Sequence, residues 1–215
     1  MRLVVFDLDG TITRRDALLP YVLGFLQRTP WRLPRLLLVV PALVRFLLKR
    51  ADHGQLKSSL IKAALRGCTR TEIDAWSARF VPRLLRHGLF ADALERISAH
   101  RRHGDRLVLL SAGTDLYVPA IAHELGFAQV ICTGVRWNGN RLSGELSTEN
   151  RRGAEKARCF NVLREQHPGL ATVAYGNARS DLDHLRLADE GVLVNGTLRA
   201  RREAARVGVK CVKWR

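Results

Sequence analysis

Two carboxylates, Asp7 and Asp9, stand two residues apart at the end of the short apolar run Leu3–Phe6, and Gly10, Thr11 and Thr13 follow at once in FDLDGTIT. In an extended chain side chains repeat with period two, so residues 7 and 9 fall on one side. One acid placed in this way can attack as a nucleophile while the other serves a leaving group or a water. Further polar groups follow later apolar runs: Ser111 after RLVLL, and Asn177 with Asp181 after LATVAY. Acids that converge repel one another unless a cation lies between them. Oxygen donors without His or Cys suit a hard ion such as Mg²⁺. Each residue also has a plainer reading. Asp9-Gly10 would make an ordinary turn, and Ser111 would cap the next helix. Lys156 would be one surface cation among many, and Asp181 and Asp183 helix N-terminal acids favoured by the dipole.

The elements that must position these groups alternate between strand and helix. LVVF (Leu3 to Phe6) reads as a buried strand. From about Asp16 to His87 the pattern is helical throughout: Leu18, Leu19, Val22, Leu23 and Leu26 recur at helical spacing, and Thr29-Pro30 ends that run. A second apolar segment runs from Trp31 to about Lys49, and amphipathic pieces follow near Leu56–Arg66 and Thr71–Arg86, with Thr71 as N-cap. After Gly88 the texture changes. A helix from Asp92 to His103 precedes the strand RLVLL, which leads into the small-residue turn SAGTD. A helix from Asp115 to Leu125 and the strand AQVICT follow, and Asn138-Gly139 signals a hairpin. Further on come a helix from Gly153 to Gln166, the strand LATVAYGN, the helix SDLDHLRLA, the strand GVLVN, the helix LRARREAARV and the strand VKCVKW. This alternation predicts an α/β fold with a parallel sheet and crossover helices, into which residues 15–87 are inserted as an all-helical cap or lid. Residues 1–14 and 88–215 would form the core. Ligands of such sheets bind beyond the carboxyl ends of the strands, where the acids fall.

Charge narrows the partners. The chain has 215 residues and carries 36 Lys+Arg against 20 Asp+Glu, a net charge of +16. Such a surface attracts polyanions: nucleic acid, anionic lipid or phosphorylated metabolites. General Arg-richness of the polar faces is the alternative. Aromatic residues are 7% of the chain and no nucleic-acid reading module is recognisable, so specific nucleic-acid binding is not expected. Cys68, Cys132, Cys159 and Cys211 form no C-x-x-C pair and read as reduced thiols of a cytoplasmic protein. The N-terminal apolar run is too short for a secretory signal. The longest apolar stretch, Leu36 to Leu48, is interrupted by Pro41 and Arg45 and falls short of the ~20 residues a membrane span needs.

In order, FDLDGT, the strand ending at Ser111, Lys156 and GNARSD (Gly176 to Asp181) resemble the four motifs of the haloacid-dehalogenase-type phosphatases. The resemblance covers nearly the whole chain. It is nearest the phosphoserine-phosphatase-like branch, which has a helical cap between the first two motifs. LLSAGTDLYV, the WNGNRLSGEL hairpin and GAEK fit that branch too. More loosely, the proline-interrupted apolar cap is similar to that of bacterial phosphatidylglycerophosphatase-like members.

The resemblance implies a Rossmann-like three-layer core and a Mg²⁺-dependent phosphomonoesterase. Asp7 would be the nucleophile, forming an aspartyl-phosphate, and Asp9 the general acid and then base. Ser111 and backbone N–H groups around Leu8, Asp9, Ala112 and Gly113 would hold the phosphoryl oxygens, with Gly10 and Gly113 allowing close approach and Thr11 shaping the turn beside them. Lys156 would supply positive charge; Lys57 and Lys62 fit that role less well because they fall in the cap. Mg²⁺ would take the Asp7 carboxylate, the Asp9 carbonyl, Asn177 and Asp181. The family usually has Asp where this chain has Asn177, which implies weaker metal binding. A weak or inactive phosphate- or polyanion-binding protein is the alternative.

For the substrate, Asp16 lies where related enzymes place an acid facing an amino group. The plainer reading makes it the N-cap of a helix that begins with ALLPYV. Arg14 and Arg15 would steer an anion or lie on the surface. The basic, apolar segment Pro30 to Arg50 suits a cap resting peripherally on the anionic inner face of a membrane, or a buried cap core. The substrate would be a lipid phosphate such as phosphatidylglycerophosphate or a small metabolite such as phosphoserine. Nothing in the sequence sets the oligomeric state.

Overall fold

A computed structural model describes residues 1–215. Eight strands and nine α-helices follow the order β1 (Leu3–Phe6), α1 (Leu18–Arg28), α2 (Val40–Leu47), α3 (His53–Leu65), α4 (Arg70–His87), α5 (Ala91–Arg102), β2 (Arg106–Thr114), α6 (Val118–Glu124), β3 (Gln129–Thr133), β4 (Val135–Asn138), β5 (Arg141–Leu146), α7 (Ala154–Gln166), β6 (Thr172–Gly176), α8 (Leu182–Leu185), β7 (Glu190–Val194), α9 (Leu198–Arg206) and β8 (Lys210–Val212). Six strands form one sheet in the order β3-β2-β1-β6-β7-β8, with every neighbouring pair parallel. β4 and β5 form a separate antiparallel hairpin.

β1 lies in the middle of the sheet. Phe6 is in register with Leu109 of β2 and with Tyr175 of β6. The chain just beyond these three strands therefore emerges at one edge. Both faces of β1 are covered, which is why it reads as an unbroken apolar run. Val4 and Phe6 face a large apolar cluster; Leu3 and Val5 face a smaller one with Phe160, Leu163 and Leu185. The large cluster runs on into the helical segment through Tyr21, Phe25, Ile61 and Phe80. Tyr21 sits 5.0 Å from both Phe80 and Tyr117, so aromatic packing joins α1, α4 and the start of α6.

Four elements differ from the sequence pattern. β2 does not turn at Ser111 but stays extended to Thr114, which pairs with Thr133 of β3 past a register shift. α4 is capped by Thr69 rather than Thr71: Thr69 and Glu72 form a reciprocal capping box, the T-x-x-E arrangement that satisfies two free N–H groups at once. The SDLDHLRLA helix is one 3₁₀ turn, Arg179–Asp181, followed by the single turn of α8. Residues Trp31 to Lys49 are not one helix. Pro30–Val39 form a 3₁₀ stretch holding Pro34, and α2 begins afresh with Pro41 in its first turn. A proline tolerated in a first turn cannot continue a helix from before it. Neither piece contributes a buried residue, so the buried-core reading of this segment does not hold.

Candidate active site

The tight turn after β1 is built by local hydrogen bonds. The N–H groups of Thr11, Ile12 and Thr13 all point back to the Leu8 carbonyl, and the Thr13 hydroxyl bonds the carbonyls of Leu8 and Arg15. Gly10 takes φ +80°, a left-handed conformation, and an added Cβ there would overlap the Asn177 amide. Glycine is thus needed both for the turn and for the approach of the β6 loop. The turn leaves the N–H groups of Leu8 and Asp9 without partners in the chain.

At the centre of the site Asp7 is buried, and the Thr11 hydroxyl donates to its Oδ2 at 2.9 Å. Its Oδ1 accepts from Lys156 Nζ at 2.7 Å, and the same ammonium donates to Asp181 Oδ1 at 2.8 Å. Lys156 reaches this point from the first turn of α7, 2% exposed, so its charge is spent on two carboxylates rather than on water. Burial pulls against that charge, but Asp181 and Asp7 together hold the Lys156 pKa above its ordinary value. Burial raises the Asp7 pKa in spite of Lys156. Burial also opposes ionisation of Asp181, yet Lys156 and its backbone N–H partner hold it at about 2.

Asp181, expected as a metal ligand, lines the same cavity as Asp7 and is already engaged within the chain. Its Oδ2 accepts the N–H groups of Asn177 and Ala178, and its Oδ1 is taken by Lys156. It ties the β6 loop to α7. Gly113 departs from its expected part: its N–H donates to Ser111 Oγ at 2.9 Å, so it is not a free donor for a phosphoryl oxygen. Ser111 is fully buried beneath it.

Asp9 accepts from the Ala17 N–H at 2.8 Å. Burial, Asp16 and Asp7 together push its carboxyl up to about 8. That shift favours the protonated form, the state a general acid needs. Asp16 accepts the N–H groups of Leu18 and Leu19 as the start of α1 requires, and its side chain also lines the cavity.

Asp7, Asp9, Asp16, Ala112, Gly113, Lys156, Asn177 and Asp181 line one cavity of about 320 Å³. Sequence reasoning did not single out His53, Tyr117, Asn150 or Arg152, which line it too, and it set Lys57 aside. Lys57 Nζ donates to the Ala112 carbonyl and, at 2.6 Å, to Asn150 Oδ1. Burial lowers its pKa to about 8 against the pull of Asp9 and Asp16. The signal in the sequence was Leu56 and Leu60 bracketing Lys57 on an amphipathic helix; their apolar side chains line the cavity beside it.

The donors fit a hard cation. The Asp7 carboxylate, the Asn177 amide and the Asp9 carbonyl are all oxygen donors beside a cluster in which two carboxylates share one ammonium. No group of three or more His, Cys, Asp or Glu forms a metal cage. Mg²⁺ keeps several waters and needs only one or two carboxylates plus substrate phosphate.

Residues 4–186 match the family model of the haloacid dehalogenase-like hydrolases. The chain belongs to this family. Protein CicA of Caulobacter vibrioides is 32% identical over 87% of this chain and 83% of its own length. A probable phosphatase of Mycobacterium tuberculosis is 26% identical over 93% of this chain and 71% of its own. A solved structure of phosphoserine phosphatase, captured as an analogue of its phospho-aspartyl intermediate, superimposes with a TM-score of 0.69 at 15% identity, covering 98% of this chain and 92% of that one. This family member thus shares its α/β fold with that phosphoserine phosphatase.

Proposed function

We propose that this hydrolase cleaves a phosphate monoester with the support of Mg²⁺, through an aspartyl-phosphate on Asp7. The observation that carries the reading is the placement in one cavity of a buried carboxylate, Asp7, held by Lys156 and Thr11, beside a second carboxyl, Asp9, whose pKa burial pushes up. A carboxylate oxygen of Asp7 attacks phosphorus as the bond to the leaving oxygen breaks, and the Asp9 proton passes to that oxygen. A water then attacks the phosphorus, Asp9 takes its proton, and the bond to Asp7 breaks to give phosphate and the free enzyme. The unpartnered N–H groups of Leu8 and Asp9 are the donors for the phosphoryl oxygens, while Ser111, fully buried and outside the cavity lining, holds the Gly113 N–H behind them. Mg²⁺, held by Asp7, the Asp9 carbonyl and Asn177, would neutralise charge on phosphate and nucleophile.

The rest of the cavity favours a leaving group with both an anionic head and apolar atoms. Lys57, His53 and Arg152 meet the first requirement; Leu18, Leu19, Leu56 and Leu60 meet the second. Asp16 takes both N–H groups on Oδ1, which leaves Oδ2 for a substrate amine and keeps phosphoserine as the second reading. We therefore infer a lipid phosphate ahead of phosphoserine.

The test is phosphate release from phosphatidylglycerophosphate in detergent, phosphoserine, sugar phosphates and nucleotides, with and without Mg²⁺. Release should need Mg²⁺, be greatest with the lipid, and vanish in Asp7→Asn with the fold retained. Turnover by Asp7→Asn would remove the nucleophile, and preference for phosphoserine would remove the lipid.

A further inference from the structure

The stretch from Pro30 to Leu47 carries an apolar surface that nothing in the chain covers. Of the 17 large hydrophobic residues exposed in the whole protein, nine lie between Trp31 and Leu48; Trp31 is 70% exposed, Leu37 73%, Leu38 71% and Leu47 70%. The cause is single-layer packing. Arg32, Leu36, Val39, Ala42 and Phe46, spaced three or four apart, turn inward and are half-buried, and the stretch packs against α3. The other sides of both pieces meet solvent. A soluble monomer rarely leaves so much contiguous apolar surface without a partner for it.

Charge identifies the partner. No Asp or Glu occurs between Asp16 and Asp52. Arg32 is used internally, donating to the carbonyls of Ala64 and Arg66 at the end of α3. Arg28, Arg35, Arg45, Lys49 and Arg50 form no salt bridge. A second copy docked here about a two-fold axis would set this acid-free patch against itself, cation against cation. An anionic bilayer satisfies both requirements: acyl chains accept the leucines and Trp31, and head groups accept the bases. No helix is long and apolar enough to cross a membrane, so the segment would lie in the interface.

We propose that this face, formed by the 3₁₀ stretch and α2, docks the protein onto an anionic lipid surface. Docking brings the cavity close to the bilayer. α3 packs under the apolar pieces, and its residues His53, Leu56, Lys57 and Leu60 line the cavity. Phe46 of α2 packs edge-on against His53 at 4.8 Å, so the lipid face and the cavity wall touch directly. The proposal goes beyond the phosphatase reading and is tested without turnover.

Co-sedimentation of the full chain would be measured with vesicles of phosphatidylcholine alone and of phosphatidylcholine mixed with phosphatidylglycerol. The protein should sediment with the mixed vesicles, more weakly as salt rises, and hardly at all with the neutral ones. The triple variant Leu37→Ser, Leu38→Ser, Leu47→Ser and the triple variant Arg45→Glu, Lys49→Glu, Arg50→Glu should each lose on the order of tenfold or more in binding. Circular dichroism and melting temperature should stay as in the parent, because the substituted side chains are exposed. Absence of binding to the mixed vesicles, equal binding to neutral ones, or undiminished binding by both variants would overturn the proposal. So would a dimer of the parent that the leucine variant makes monomeric, since a second copy would then be what covers the face.

Discussion

The Lys156 ammonium lies 2.7 Å from the Asp7 carboxylate, and both side chains are almost completely buried. With Asp181 as its second partner, Lys156 is the only cation that compensates two carboxylates in a dry place. Lys156→Met keeps the bulk and removes the charge. Breaking a buried pair from one side typically costs about 3–5 kcal/mol because an uncompensated charge stays behind. Urea unfolding at neutral pH should report a loss of that size, together with loss of turnover. A loss below about 1 kcal/mol would be that of an exposed pair and would mean that water reaches the cluster.

Asn177→Asp places a carboxylate beside Asp7 and Asp181. Without metal, a third acid facing one ammonium should lower the melting temperature. With Mg²⁺ the added charge should strengthen the site, since ligand charge tunes affinity for hard cations. The expected result is a larger Mg²⁺-induced rise in melting temperature than in the parent, with a half-saturating Mg²⁺ concentration lower by about tenfold. An unchanged Mg²⁺ response would remove Asn177 from the donor set.

Much of the architecture could be read in the chain because its patterns are local. Apolar runs flanked by Gly marked the strands of the parallel sheet, and Asn138-Gly139 marked the hairpin. The convergence of Asp7 and Asn177 followed from strand ends in a parallel sheet, a relation the sequence order already contains, whereas Lys156, in the first turn of α7, was pointed to only by the family resemblance. What escaped was set by packing across the fold. Lys57 is 55 residues from Ala112 and 93 from Asn150, and nothing near it in the chain announces those bonds. Asp181 read as a metal ligand because its type allowed it; its engagement by two backbone N–H groups depends on the 3₁₀ turn it ends. The segment after Trp31 looked as suited to a core as to a surface, because composition alone does not reveal that it packs in a single layer.

Gly10→Ala tests the turn and its contact with Asn177. An L residue at φ +80° costs about 1–2 kcal/mol, and the new methyl must displace the Asn177 amide. Stability should fall by about that amount or somewhat more, and turnover should fall more steeply than stability because the β6 loop shifts away from Asp7. Added Mg²⁺ should recover little of the activity. Near-parental turnover would mean that Asn177 moves aside freely and that its contact with the turn is incidental.

Asp105 offers a test of stability against pH away from the cavity. Its carboxylate accepts the Arg2 backbone N–H at 2.8 Å and Arg2 Nη2 at 2.9 Å, and it bonds His100 Nδ1 at 2.8 Å. Burial alone would raise its pKa, but the Arg2 and His100 hydrogen bonds bring it down to about 2, below the ordinary 3.8. Between those values the unfolded chain binds more protons than the folded one, so the stabilisation is complete above about pH 4 and is lost as pH falls through 2. His100 acts in a different window. Burial lowers its pKa from 6.5, so its neutral form favours the fold, and protonation of the unfolded chain begins to erode stability as pH drops below that value. Asp105→Asn should therefore cost about 1.5–3 kcal/mol at pH 7, the range for hydrogen bonds to a charged group. The gap from the parent should persist to about pH 4 and close towards pH 2. Urea unfolding across that range decides the matter: a gap that stays constant down to pH 2 would assign the loss to packing around the Asp105 side chain rather than to its charge.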